Sequence, residues 1–162
     1  MGEKAKIKIG VMTGDDLDQV LMIEQASFNM PWSRQLFLRE LHNPAISTLL
    51  VALADTEDAR RVTGYVVFWA VADEMHILNL AVAPPERRRG TAGKLVLAAI
   101  KDAYSKGARI AFLEVRASNV AAQKLYSGLG FTGMSVRRGY YDNPAEDAVI
   151  MTLGPTAFRT LV

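Results

Sequence analysis

The chain has 162 residues, 50% apolar and 22% charged, which predicts one globular domain spanning residues 1–162. It has no cysteine and only two histidines, His42 and His76, so disulfide scaffolds, thiolate metal sites and cysteine nucleophiles are excluded and no metal is expected. Basic residues number 19 against 17 acidic, a net charge of +2, yet the segment 84–94 alone carries Arg87, Arg88, Arg89 and Lys94 against Glu86. That concentration predicts one local anion site and no direct nucleic-acid binding.

Residues 6–12 alternate Lys with apolar side chains and read as a strand. Capping residues at 13–16 precede a helix over 15–27, and Ser33 is placed to cap a second helix over 34–42. Strands are predicted over 47–54, 62–72 and 75–82, the first two joined as a hairpin by the polar link 55–61. Apolar positions Ala92, Leu95, Val96, Ala99, Ile100 and Ala103 mark one face of a helix over 91–106, with Gly107 as its stop. A buried strand over 109–116, a helix over 119–129 capped by Ser118, a strand over 131–138, a loop over 139–147 and a strand over 147–153 follow. The order predicts an α+β fold, a mixed, mainly antiparallel sheet flanked by helices. No run of 18 apolar residues is present and the start lacks a signal-peptide core, so a soluble cytoplasmic protein is expected.

A strand ending at Val82, a glycine-bearing basic loop and a helix N-terminus make a phosphate-binding arrangement on physical grounds. The amides of a first helical turn have no partner within the helix. Gly90 and Gly93 permit close backbone approach. The P-loop pattern fails, because Arg88 stands where its first glycine is needed and Leu95 replaces its Ser or Thr. The dinucleotide fingerprint fails on the spacing of Gly90-Thr91-Ala92-Gly93.

The run Arg87 to Ala92 resembles the pyrophosphate loop of the GCN5-related N-acetyltransferases (GNAT). Leu113-Glu114-Val115-Arg116-Ala117-Ser118-Asn119, followed by Leu125-Tyr126 and Leu129-Gly130-Phe131, is more specific. It resembles the RimI-type members, which acetylate the N-terminal alanine of a small-subunit ribosomal protein. Asn79 to Val82, Pro31-Trp32-Ser33 and Arg137 to Tyr141 extend the likeness over most of the chain. The resemblance implies a GNAT-like fold and acetyl-CoA as cosubstrate. It implies Glu114 as general base and Tyr126 as general acid toward the leaving sulfur. It also implies cofactor contacts from Leu80, Ala81, Val82, Arg87, Arg88, Arg89, Gly90, Thr91, Ala92, Gly93 and Asn119. Pro31, Trp32, Tyr140 and Tyr141 match the loops that flank the acceptor peptide.

The residues themselves leave other readings open. Glu114 could be a solvated strand glutamate paired with Arg116, and Tyr126 an amphipathic core tyrosine. If Glu114 is a base, Phe112, Leu113 and Val115 are its apolar neighbours along the strand. The chemistry favours an α-amine over a lysine as acceptor. Their reference pKa values of about 7.8 and 10.4 give free-base fractions at neutrality that differ by a factor of a few hundred. The expected partner is a protein N-terminus, with no membrane and a monomer or weak homodimer. The alternatives are acetylation of a lysine or small amine, and a non-catalytic acyl-CoA or RNA-binding module. Residues 55–61 and the tail 154–162 have no functional reading.

Overall fold

A computed structural model of the protein describes residues 6–56 and 59–162. Seven strands are hydrogen-bonded in the order β1-β2-β3-β4-β5-β7-β6. They are β1 (Ile7–Val11), β2 (Ser47–Ala54), β3 (Arg61–Val71), β4 (Glu74–Val82), β5 (Ile110–Arg116), β6 (Thr132–Tyr141) and β7 (Glu146–Leu153). The helices are α1 (Leu17–Ser27), α2 (Arg34–Leu41), α3 (Thr91–Ser105), α4 (Val120–Gly128) and α5 (Pro155–Thr160), with short 3-10 turns at Gly14–Asp16 and Pro84–Glu86. β4 and β5 run parallel, with His76 opposite Phe112 and Ile77 opposite Leu113. The pairs β1–β2, β5–β7 and β6–β7 are antiparallel. The α+β class expected from the sequence is the class observed.

The described residues fall into two compact units. The first comprises Met1–Val67 and Asn79–Ala98, without the undescribed 1–5 and 57–58. Its core is built from Leu17, Val20, Phe37, Val51, Tyr65, Val66, Leu95 and Val96, each at most 1% exposed. Phe37 anchors α2, and truncating so buried an aromatic costs about 3–5 kcal/mol. β3 is buried continuously from Val62 to Phe68, as a strand covered on both faces must be. Within it, Gly64 leaves no room for a side chain. A Cβ there would lie 2.9 Å from the Ala81 carbonyl oxygen and 3.2 Å from both Leu95 and Val82. Gly64→Ala is therefore expected to push β4 outward at Ala81 and to cost about 1–3 kcal/mol. Chemical denaturation measures the loss, and unchanged stability would contradict this packing.

The second unit comprises Phe68–Leu78 and Ala99–Val162. Phe68, Met75, Ile100, Ala111, Leu153 and Phe158 are all fully buried in it. Here the structure corrects several expectations. The tail, for which no element was predicted, forms one: Gly154 and Pro155 start α5, and Phe158 is buried with its ring 6.3 Å from that of Tyr104. Proline suits the first helical position because its missing N–H is not needed there. The loop expected over 139–147 is shorter, because β6 continues to Tyr141, which pairs with Glu146 at the start of β7. Ser118 does not cap α4. Asn119 does, its side chain accepting from the Ala122 amide at 3.1 Å. At the chain's start, the helix expected from residue 15 begins at Leu17, after a 3-10 turn. The tip of the β2–β3 link, residues 57–58, lies outside the described residues.

Candidate active site

The first unit carries the basic loop. β4 ends at Val82, a 3-10 turn follows at Pro84–Glu86, and α3 starts at Thr91. Two residues of this loop adopt the left-handed region, Gly90 at φ 82° and Arg88 at φ 61°. For arginine that conformation is strained, a feature that clusters at ligand sites. The Thr91 side chain is buried, and its hydroxyl has no protein partner. A buried hydroxyl without a partner is costly unless a ligand or water completes it. It stands at the N-terminus of a 15-residue helix, where anions are favoured.

The three arginines are not equivalent. Arg87 is tied to the protein, its Nε donating to the Val82 carbonyl at 2.9 Å and its Nη2 to Ser27 Oγ at 3.0 Å. Arg89 pairs with Glu86 at 3.2 Å, and Glu86 is held as well by Arg61 at 3.2 Å. Arg88 and Lys94 are exposed. The loop's shape is therefore built by Arg87, Arg89 and Glu86.

The same unit holds the loop with Pro31 and Trp32. Pro31 is exposed and Trp32 half-buried. The Trp32 ring lies 5.2 Å from that of Phe37, and its amide donates to Glu24 Oε1 at 2.9 Å.

The second unit carries the candidate acid–base groups. Glu114 is on β5, opposite Ile150 of β7. Strand alternation puts Leu113 and Val115 on the other, buried face, so they do not enclose it. Its carboxylate accepts from Tyr140 Oη at 2.7 Å and from Arg137 Nη1 at 3.4 Å. The partner is thus not Arg116. That guanidinium turns to Glu146 at 3.3 Å and to the carbonyls of Asp142 and Pro144, both at 3.1 Å. Arg116 also lies 4.3 Å over the Tyr141 ring, so it fastens the turn between β6 and β7. Tyr140 and Tyr141 pack edge to face, 5.0 Å apart.

Glu114 and Tyr140 line a cavity of about 290 Å³ together with Trp69, His76, Leu78 and Phe112. Its apolar and aromatic walls beside one carboxylate suit a short peptide segment. None of Trp69, His76 and Phe112 was a candidate site residue from the sequence. The register brings His76 and Phe112 side by side, with rings 5.5 Å apart.

Tyr126 is on α4 and buried, with its ring 5.4 Å from Phe131. Burial, reinforced by Tyr141, pushes its phenol well above the usual tyrosine value. It keeps its proton throughout the neutral range. Burial followed by Glu114 lifts Tyr141 to about 12, and burial followed by Glu24 lifts Tyr65 further. Below pH ~10 these phenols are neutral in both folded and unfolded chains. Above it the unfolded chain releases protons that the folded chain keeps, so stability falls as pH rises. Tyrosinate absorbance from these residues is expected to appear together with alkaline unfolding. Full titration near pH ~10 with the fold intact would contradict their burial.

Among the described residues no group of three or more His, Asp or Glu could hold a metal ion. Nor is any helix among them long and apolar enough to cross a membrane.

A basic glycine loop before a long helix in one unit, and a strand glutamate and a buried helical tyrosine in the other, are features of an acyltransferase fold. The model of the acetyltransferase (GNAT) family matches residues 17–131, and the chain belongs to that family. It is 35% identical to the [ribosomal protein bS18]-alanine N-acetyltransferase of Salmonella typhimurium, over 90% of this chain and 95% of that one. The enzyme of the same name from Haemophilus ducreyi is 33% identical over 90% and 98%. The crystal structure of the ribosomal-protein-S18-alanine N-acetyltransferase from Escherichia coli superposes with a TM-score of 0.81 at 31% identity, covering 93% of this chain and 94% of that one.

Proposed function

We propose that the protein transfers the acetyl group of acetyl-CoA to the α-amine of a protein N-terminus, with the N-terminal alanine of a small-subunit ribosomal protein as acceptor. The relatives named for that reaction support the acceptor. The observation that carries the chemistry is the cavity with Glu114 in its wall. The acceptor amine enters there and loses a proton to the Glu114 carboxylate, directly or through one water. Its lone pair forms the new N–C bond to the thioester carbonyl, and the C–S bond breaks. Tyr126 supplies the proton that the departing thiolate takes up. Transfer is direct, because there is no cysteine to carry the acetyl group.

The cosubstrate's pyrophosphate belongs on the loop 87–93, where the Thr91 hydroxyl and the first-turn amides of α3 receive it. Arg88 adds exposed charge, while Arg87 and Arg89 act chiefly by shaping the loop. The main chain of Leu80, Ala81 and Val82 lines the pantetheine arm in this account. Asn119 caps α4 through its side-chain oxygen, and its main-chain groups bond Arg116 and Gln123, which leaves its side-chain NH₂ for the cosubstrate. In the second unit Tyr140, with Tyr141 packed against it, walls the acceptor beside Glu114.

The test is thiol release from acetyl-CoA with two peptides, one bearing a free N-terminal alanine and one blocked there. Turnover of the free peptide alone is the expected result. Equal turnover of both would place the reaction on another amine.

A further inference from the structure

Glu24 is the least expected group in the first unit. It is a glutamate on α1, 1% exposed, and every partner the structure gives it is a neutral hydrogen-bond donor. Its Oε1 accepts from the Trp32 amide at 2.9 Å. Its Oε2 accepts from Asn79 Nδ2 at 2.9 Å and from the Tyr65 hydroxyl. Burying a carboxylate costs several kcal/mol unless its hydrogen bonds are made, so the arrangement is held only while all three donors stay in place.

Those donors come from three separate segments. Trp32 belongs to the loop between α1 and α2. Asn79 directly precedes Leu80 on β4. Tyr65 is in the centre of β3. The contacts form a closed circuit. The Trp32 ring packs on Phe37 at 5.2 Å, Phe37 meets Tyr65 edge-on at 5.6 Å, and the Tyr65 hydroxyl returns to Glu24. One turn further along α1, Ser27 Oγ accepts from Arg87 of the basic loop at 3.0 Å. The end of one helix thus holds the Trp32 loop, the β4 segment and the basic loop.

We propose that Glu24 is a positioning residue for acetyl transfer, whose buried carboxylate sets the Trp32 acceptor loop against the β4 segment that carries acetyl-CoA. This rests on the function proposed above. A carboxylate suits the task better than an amide, since charge-assisted bonds are stronger and its two oxygens can accept from all three donors.

The test is the kinetics of Glu24→Gln with each substrate varied in turn. The amide keeps one acceptor for Trp32 but presents an NH₂ group toward Asn79. The acceptor KM is expected to rise about tenfold, the scale of one lost charge-assisted hydrogen bond. Acetyl-CoA affinity should change less than about twofold. The double variant Glu24→Gln with Asn79→Asp returns a carboxylate to the pair and should recover most of the acceptor KM. Glu24→Asp, which keeps the charge but withdraws it by one methylene, should also raise the acceptor KM. It supplies the reading if the glutamine variant fails to fold. An unchanged acceptor KM in the folded variants overturns the proposal. So does an equal loss toward both substrates that the double variant does not recover. Wild-type protein that acetylates only side-chain amines would instead overturn the acceptor reading, and the same comparison then runs on that amine.

Discussion

Tyr126→Phe is expected to lower kcat by about 10²-fold or more, because a positioned general acid contributes roughly 10²–10⁴. The change removes one oxygen from a ring that is 5% exposed and packed against Phe131, so the fold should be retained. Acetyl-CoA should still bind, since the basic loop is untouched. The loss should therefore fall on kcat, with KM for acetyl-CoA little changed, the pattern of an interaction made only in the transition state. Burial raises the phenol's pKa, so it is protonated at neutral pH, and the leaving thiolate is the group that needs the proton. Steady-state rates within about twofold of wild type would assign that proton to another donor.

The second large effect is expected from Glu114→Gln, a fall in kcat/KM of about 10²–10³ at pH ~7. The side chain is 36% exposed and its ion pair with Arg137 is at the surface, so stability should hardly move. The deficit should also depend on pH. An α-amine with pKa of about 7.8 is mostly protonated at pH ~7 and mostly free at pH ~9. A base matters less when the amine has already lost its proton, so the gap between variant and wild type should narrow across that interval. A deficit that stays constant from pH ~7 to pH ~9 would mean that Glu114 orients the acceptor without taking its proton.

The elements with the plainest periodicity were legible in the sequence. β2, β4 and β5 alternate or run apolar between clear breakers, and α3 shows its apolar face at Leu95, Val96, Ala99 and Ile100. The basic loop was legible because its charges and glycines are adjacent in the chain, while Glu114 and Tyr126 were proposed from a motif spread over residues 113–131. What escaped was non-local. Nothing in the sequence marks Glu24, and only the fold brings Trp32, Tyr65 and Asn79 to it. Arg116 looked like the partner of Glu114, two residues away on the same strand face. The β6–β7 turn competes for it with two carbonyls and Glu146, and wins. The three arginines looked alike, yet backbone placement gives Arg87 a carbonyl and a serine. α5 was missed because six residues are too few to show a helical period. Its one signal was proline after glycine, followed by an apolar residue three positions on.

The central claim is that the acceptor is an α-amine. The most direct measurement is mass spectrometric localisation of the acetyl group on one peptide that carries both a free N-terminal alanine and an internal lysine, incubated with acetyl-CoA and the protein. Acetylation at the alanine nitrogen with the lysine unmodified is the expected result. Acetylation at the lysine, with the N-terminus left free, would contradict it.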